Sequence, residues 1–156
     1  MGVASTGKTT VGRALADAIG WGFRDADDFH PPSNIAKMSA GKPLTDADRD
    51  PWLASIRVHI TLTLSRGESG IVTCSALKES YRRFIIGRSQ GVKLVHLTGT
   101  PELLRQRIAG RTGHFMKPEM LASQLADLEP PHDALTLDVA EPVEVLVGKI
   151  REHYAL

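Results

Sequence analysis

A phosphate-binding signature occupies the first ten residues, MGVASTGKTT, and it constrains the fold more than any other feature. Gly2, Gly7, Lys8 and Thr9 fit the spacing G-x-x-x-x-G-K-[ST]. Glycines at both ends let the backbone curl so that several N–H groups point inward at phosphate oxygens. Such a loop leaves a buried β-strand and enters a helix, which predicts an α/β domain.

The residue types of this loop predict nucleotide binding. Lys8 is expected to reach the β- and γ-phosphates, and the Thr9 hydroxyl to hold Mg²⁺. The helix that follows adds the favourable dipole of its N-terminus. The alternative is an ordinary glycine-rich turn that caps a helix. The predicted nucleotide contacts are Gly2, Val3, Ala4, Ser5, Thr6, Gly7, Lys8, Thr9 and Thr10.

Composition excludes several classes of protein. The chain has 156 residues, 42% hydrophobic and 24% charged, which predicts one globular domain over residues 1–156. Its 19 basic and 18 acidic residues are mixed, so nucleic acid and anionic membrane are poor partners. Cys74 is the only cysteine, and no apolar run reaches the ~20 residues of a membrane span. We therefore expect a cytoplasmic protein.

Strand and helix patterns alternate along the chain, which predicts a doubly wound parallel sheet. The stretch 50–67 fits both patterns, and we favour a helix because it must cross between parallel strands. Ligands of such sheets bind beyond the carboxyl ends of the strands, here at the loop, at Asp25 and Asp27, at Ser75 and after Thr98. The predicted strands are WGFRDAD (21–27), GIVTCSA (70–76), VKLVHLTG (92–99) and ALTLDVA (134–140).

Two carboxylates follow the first predicted strand. If residues 23–27 are extended, Asp25 and Asp27 project to one side. Beside a magnesium–phosphate site, one carboxylate could position metal-bound water and the other could accept a proton from an attacking hydroxyl. The alternative is that both are solvated turn residues at a strand end.

A basic stretch between glycines, RQRIAGRTGHFM, predicts a lid over the triphosphate. It carries Arg105, Arg107 and Arg111. In a helix, Arg107 and Arg111 share a face and could supply transition-state charge. Surface arginines without function are the common alternative.

Three longer blocks resemble the gluconate kinase family: DADDFHPPSNIAKMSAGKPLTDADRDPWL (25–53), CSALKESYR (74–82) and GHFMKPEMLASQLADLEPP (113–131). The resemblance implies transfer of the γ-phosphoryl group of ATP to the 6-hydroxyl of D-gluconate. It also implies a three-layer P-loop fold of the nucleoside-monophosphate-kinase and shikimate-kinase type, with parallel strand order 2-3-1-4-5, often in a homodimer.

The resemblance also implies roles for individual residues. Asp27 resembles the substrate-contacting aspartate and Asp25 its metal-side partner, although Ala26 stands where the family has glycine. A substrate cap then spans about 28–53 and a lid about 107–118. Arg49 could instead pair with neighbouring aspartates on a solvated face. The remaining polar groups implied to surround gluconate are His30, Arg49, Ser75, Lys78 and Arg82.

The stretch SALKESYRRFIIG (75–87) predicts a helix that begins near Ser75. Lys78 and Arg82 lie one turn apart in it, so both can face the same way.

Only Met1 precedes the loop, so the strand that should feed it is missing from this sequence. That strand is the centre of the implied sheet, and without it its two neighbours would stand about 9–10 Å apart. Our hypothesis is that the natural chain begins earlier, with an apolar strand. Three functions stay open: a gluconate kinase, another small-molecule P-loop kinase, and a non-catalytic nucleotide-binding remnant.

Overall fold

The computed structural model describes residues 1–110 and 118–156, with side chains up to 110 and from 121 onward. Four short strands form two parallel pairs. β1 (Gly22–Asp25) pairs with β2 (Gly70–Thr73), and β3 (Val95–Thr98) pairs with β4 (Leu135–Asp138). The expected α/β class with parallel strands is confirmed, and each strand falls inside its predicted segment.

Helices connect and cover these strands. The ambiguous stretch 50–67 is helical, because α3 (Asp46–Ser65) runs unbroken over 20 residues. It begins in a capping box in which Thr45 and Asp48 bond each other's backbone N–H. Between β1 and the next helix lies a short 3₁₀ helix, Ala26–Phe29. The α-helices are α1 (Lys8–Ile19), α2 (Pro32–Ser39), α3 (Asp46–Ser65), α4 (Glu79–Ile86), α5 (Pro101–Ala109), α6 (Pro118–Asp127) and α7 (Val143–Tyr154).

Two predicted boundaries are wrong, and both affect the site. Extended backbone ends at Asp25, because the Asp25 side chain accepts from the Asp27 N–H and turns the chain into the 3₁₀ helix. The helix predicted from near Ser75 begins at Glu79 instead. Residues 74–78 therefore form a connecting loop, in which Ala76 has a positive φ of 41°.

The described apolar side chains form two clusters. The larger joins α1, β3, β4, α5 and α7 and includes Leu15, Leu104 and Leu146. The smaller lies between α3, α4 and the 3₁₀ helix, with Trp52 and Ile56 at its centre. No helix in the described parts is long and apolar enough to cross a membrane.

Met1 lies between the two strand pairs. Its amino group donates to Val95 O at 2.5 Å, and its carbonyl accepts from Leu97 N at 2.8 Å, which is the hydrogen-bond pattern of a parallel ladder. On the other side, Gly2 N donates to Ser75 O at 3.4 Å. Burial, together with the positive charge of Lys8, lowers the pKa of the amino group to about 5.

Next to Met1, a cavity of about 320 Å³ separates β2 from β3. Its walls are largely apolar, with Ile71 and Val72 on one side and Val95 on the other. In the described part of the chain these two strands do not pair with each other. In the expected order 2-3-1-4-5, strand 1 is the strand before the loop, so β1 to β4 correspond to positions 2 to 5. The observed pairs β1–β2 and β3–β4 fit the two outer pairs of that order, and its central position stays a prediction.

Gly2 provides a test of how tightly the loop is held against β3. A Cβ atom on Gly2 would lie 2.4 Å from Leu97 O, and its φ of +151° disfavours side chains. Gly20 has a φ of +70° but nothing within 4 Å of such a Cβ. We expect Gly20→Ala to cost about 1–2 kcal/mol of the free energy of unfolding through its backbone conformation alone.

Gly2→Ala should lower that free energy further, because the clash adds to the backbone strain. Chemical denaturation of both variants measures the two effects. Equal losses would show that the loop is not held in close contact with β3.

Candidate active site

The phosphate loop has the backbone that its glycines predict. Ser5 and Gly7 adopt positive φ values of 63° and 77°, and residues 2–6 are buried. Gly7 precedes α1 without a side-chain cap, so the first N–H groups of that helix point at the loop's concave side. This arrangement suits an anion such as a phosphate.

Polar groups of the loop contact one another and α6. Val3 O accepts from Thr6 Oγ1 at 2.9 Å and from Lys8 Nζ at 3.0 Å. The Ala4 N–H donates to Gln124 Oε1 on α6 at 2.6 Å. One backbone N–H of the loop is therefore hydrogen-bonded to a side-chain oxygen in this structure.

Thr9 and Asp25 meet at the mouth of the loop. Thr9 Oγ1 donates to Asp25 Oδ2 at 2.8 Å, while Asp25 Oδ1 accepts from the Asp27 N–H at 3.2 Å. Oxygen ligands of this kind suit Mg²⁺, which is usually held by one or two protein groups together with phosphate oxygens and water. Nowhere in the described residues do three or more His, Cys, Asp or Glu side chains cluster as a metal site. The pair therefore fits a magnesium ion that a nucleotide helps to hold.

Asp27 lies beyond this pair, in the 3₁₀ helix. Loss of solvent raises the pKa of its carboxyl, and the nearby negative charge of Asp25 raises it further. His30 and Lys8 act in the opposite direction. A carboxylate with a raised pKa is better suited to accept a proton, so Asp27 is the stronger candidate base of the two.

His30 is held in place from two sides. Its ring stacks on Trp52 with centroids 4.6 Å apart and an interplanar angle of 9°, and Asn34 Nδ2 lies 3.3 Å from its Nδ1. Trp52 in turn donates from Nε1 to Ala26 O at 2.7 Å. Burial lowers the pKa of His30, which favours the neutral imidazole.

A cationic cluster lies next to His30. Asp46, in the first turn of α3, accepts from Lys78 Nζ at 3.0 and 3.1 Å and from the Tyr81 hydroxyl. Arg49 Nη1 lies 3.5 Å from the same carboxylate, and its guanidinium is 5.9 Å from the Tyr81 ring centroid. The cluster of Asp46, Arg49, Lys78 and Tyr81 joins the start of α3 to the start of α4.

Arg82 does not share the position of Lys78. Lys78 precedes α4 and is half-buried beside Asp46, whereas Arg82 is buried inside α4. Its Nη1 donates to Ala76 O at 2.9 Å and to Leu77 O at 2.7 Å. The expectation that both face the same way fails because α4 starts four residues later than predicted. The contacts of Arg82 indicate support of the 74–78 loop.

The lid arginines are placed only in part. Arg107 Nη2 donates to Val139 O at 2.6 Å, which holds the end of α5 against the end of β4. Arg105 pairs with Glu102 on the surface. Arg111 and most of the predicted lid lie outside the described residues.

Ser75 lies beside the phosphate loop, since its carbonyl accepts from Gly2 N.

Five site residues were not predicted from the sequence. Asp46, Asn34 and Trp52 belong to the resembling block 25–53, and Tyr81 to the block 74–82, so membership of these blocks was the available signal. Gln124 had no local signal, because its contact with Ala4 links residues 120 positions apart.

Comparisons with known proteins agree with this geometry. Residues 4–134 match the family model of shikimate kinase. A curated gluconokinase from Gluconobacter oxydans is 47% identical over 133 residues, covering 85% of this chain and 75% of that protein. The crystal structure of a gluconokinase from Sinorhizobium meliloti is 40% identical, with a TM-score of 0.84 over 99% of this chain and 93% of that one. A sugar kinase from Janibacter sp., solved unliganded, is 42% identical, with a TM-score of 0.89 over 97% and 90%.

The raised pKa of Asp27 predicts that this carboxylate costs stability at neutral pH. Above the raised pKa the group is ionised in both the folded and the unfolded chain, and only the folded chain carries the penalty. The penalty disappears as pH falls through the folded pKa and then through the ordinary value. We therefore expect Asp27→Asn to raise the melting temperature at pH 7, with a gain that shrinks towards pH 4.

Calorimetry at the two pH values measures this difference. Asp28→Asn is the control, because it removes a charge one residue away that contributes least to the shift of Asp27. An Asp27→Asn variant less stable than wild type at pH 7 would contradict the assignment.

Proposed function

The chain belongs to the gluconokinase family of P-loop phosphotransferases, and we propose that it transfers the γ-phosphoryl group of ATP to D-gluconate, giving 6-phospho-D-gluconate. The observation that carries the proposal is a continuous run of groups. It leads from the phosphate loop through Asp25 and Asp27 to His30 and ends at the cationic cluster. The run supports a phosphate site at one end of a single acceptor site and a carboxylate-binding site at the other.

The phosphate loop supplies the nucleotide end of the proposal. Backbone N–H groups of residues 2–10 and the dipole of α1 bind the β- and γ-phosphates, with Lys8 adding positive charge. Thr9 and Asp25 hold Mg²⁺, which when bound neutralises charge that develops on the phosphate oxygens. Phosphoryl transfer depends more on positioning and charge than on proton abstraction, which suits a loop this closely packed.

Asp27 and His30 serve the reacting end of the acceptor. The 6-hydroxyl oxygen of gluconate forms a bond to the γ-phosphorus while the bond to the leaving ADP oxygen breaks, and the hydroxyl proton passes to Asp27. The neutral imidazole of His30, fixed by Trp52, can donate to or accept from a sugar hydroxyl. These two residues therefore align the hydroxyl that reacts.

The cationic cluster serves the other end of the acceptor. Arg49 and Lys78 together carry two positive charges, and Asp46 carries one negative charge. The cluster is therefore left with one positive charge, which complements the single carboxylate of a sugar acid. Tyr81 adds a neutral donor. A neutral sugar would leave this charge without a partner, so the geometry favours an acid.

The remaining predicted residues complete the proposal. Arg107 and Arg111 close over the triphosphate when the lid moves, which requires Arg107 to leave Val139 O. Ser75 and Arg82 complete the acceptor site. The homodimer, the single-domain organisation of residues 1–156 and the cytoplasmic location likewise stay predictions.

ADP formation that depends on D-gluconate tests the function. An assay that couples ADP release to a spectroscopic signal compares D-gluconate with shikimate. Shikimate is the strongest competing acceptor, because residues 4–134 match the shikimate kinase family. We expect turnover with gluconate and little with shikimate, since the two named gluconokinases are 47% and 40% identical to this chain.

Lys8→Met should lower kcat by at least about 100-fold, because it removes a charge aimed at the transferring group. ADP formation that does not depend on gluconate, or that shikimate supports equally, would refute the proposal. Nucleotide binding without any turnover would favour the non-catalytic alternative.

A further inference from the structure

Asp46 gathers three donors onto one exposed carboxylate. Lys78 and Tyr81 come from the start of α4, 32 and 35 residues away in sequence, and Arg49 comes from the next turn of α3. Hydrogen bonds from Tyr81 and Lys78 lower the pKa of Asp46, so it is ionised near neutral pH. The four residues form one network of ion pairs and hydrogen bonds at the surface.

The start of α3 does not need these contacts. Its capping box uses Thr45 and Asp48, and Asp48 also pairs with Lys37. Asp46 takes part in neither interaction. Its contacts are therefore with Lys78 and Tyr81 and with Arg49 in the next turn of α3, and not with the capping box.

The donors around Asp46 are those that a bound sugar acid requires. A carboxylate is bound best by arginine, lysine and hydroxyl donors that converge on its two oxygens, and Asp46 presents such a carboxylate to all three. The Asp46 side chain is 64% exposed, whereas those of Arg49 and Lys78 are 28% and 31% exposed. An acceptor arriving from solvent thus meets Asp46 on the outer side of the cations it must bind.

We propose that Asp46 is an internal substitute for the carboxylate of the acceptor, a specificity-determining residue that acceptor binding displaces from Lys78, Tyr81 and Arg49. The proposal rests on the proposed function and adds how the acceptor is selected. In the free protein Asp46 holds the three donors together. When the acid binds, one carboxylate replaces the other, and Asp46 turns out to solvent.

This exchange discriminates against neutral sugars. An acid regains the ion pairs that Asp46 gives up, so the exchange is nearly balanced. A polyol of the same length has no charge to offer, and it must bind beside an occupied cluster or leave the cations unpaired. Asp46 therefore weakens the binding of every acceptor that uses the cluster. The loss of affinity is smaller for an acid than for a neutral acceptor that uses the same donors.

Asp46→Asn tests the exchange, with D-gluconate binding to the whole chain measured by titration calorimetry. Removing the competing charge should lower the Kd for gluconate by about threefold at low salt, a size typical of exposed ion pairs. The gain should shrink at high salt, since such charges are screened. The KM for gluconate should fall in parallel. Binding of D-sorbitol, which has no carboxylate to exchange for that of Asp46, should tighten by at least as much, so the preference for gluconate over sorbitol should fall.

Tyr81→Phe tests the donor side of the exchange. Tyr81 donates to Asp46 in the free protein and to the acid in the complex, so its loss should change the Kd for gluconate little in the wild-type background and raise it in the Asp46→Asn background. Asp50→Asn is the matched control, because it removes the same charge from an exposed residue of α3 outside the cluster. Its effect on Kd should be much smaller than that of Asp46→Asn.

The result that overturns the proposal is a higher or unchanged Kd for gluconate in Asp46→Asn while wild type still phosphorylates gluconate. A higher value would show that Asp46 orients the donors or binds the acceptor itself. An equal gain in Asp50→Asn would reduce the effect to general charge. Failure of the proposed function is distinct, because wild type would then show no gluconate-dependent ADP formation.

Discussion

The backbone hydrogen bonds of Met1 and Gly2 are the interaction on which the rest of the structure depends. Met1 pairs with β3 through Val95 and Leu97, and Gly2 reaches Ser75 after β2. These bonds set the phosphate loop between two strand pairs that do not pair with each other in the described chain. The loop takes its position from this anchor, although a cavity of about 320 Å³ lies next to Met1.

The acceptor site depends on a second arrangement, the packing of α3 against the start of α4. Trp52 on α3 fixes the 3₁₀ helix through Ala26 O and supports the ring of His30. One turn earlier, Arg49 and Asp46 meet Lys78 and Tyr81. In the function we propose, one helix therefore positions the groups for both ends of the acceptor.

Local chemistry explains which parts of this site were predictable from the sequence. The phosphate loop and Asp25 were predicted because their residue types and spacing carry the chemistry by themselves. The partnership of Asp46 with Tyr81 was not, since it arises only when two helices pack. Arg82 was placed wrongly with Lys78 because α4 begins at Glu79, which leaves Lys78 in extended backbone before the helix while Arg82 is buried within it. Gln124 required a tertiary contact that no local pattern indicates.

A crystal structure with D-gluconate and a non-hydrolysable ATP analogue tests the central claim most directly, because it locates both ends of the acceptor at once. We expect the acceptor carboxylate to bind Lys78, Arg49 and Tyr81, with Asp46 turned away. The 6-hydroxyl should lie within hydrogen-bond reach of Asp27. A carboxylate bound elsewhere, with the Asp46 contacts intact, would contradict it.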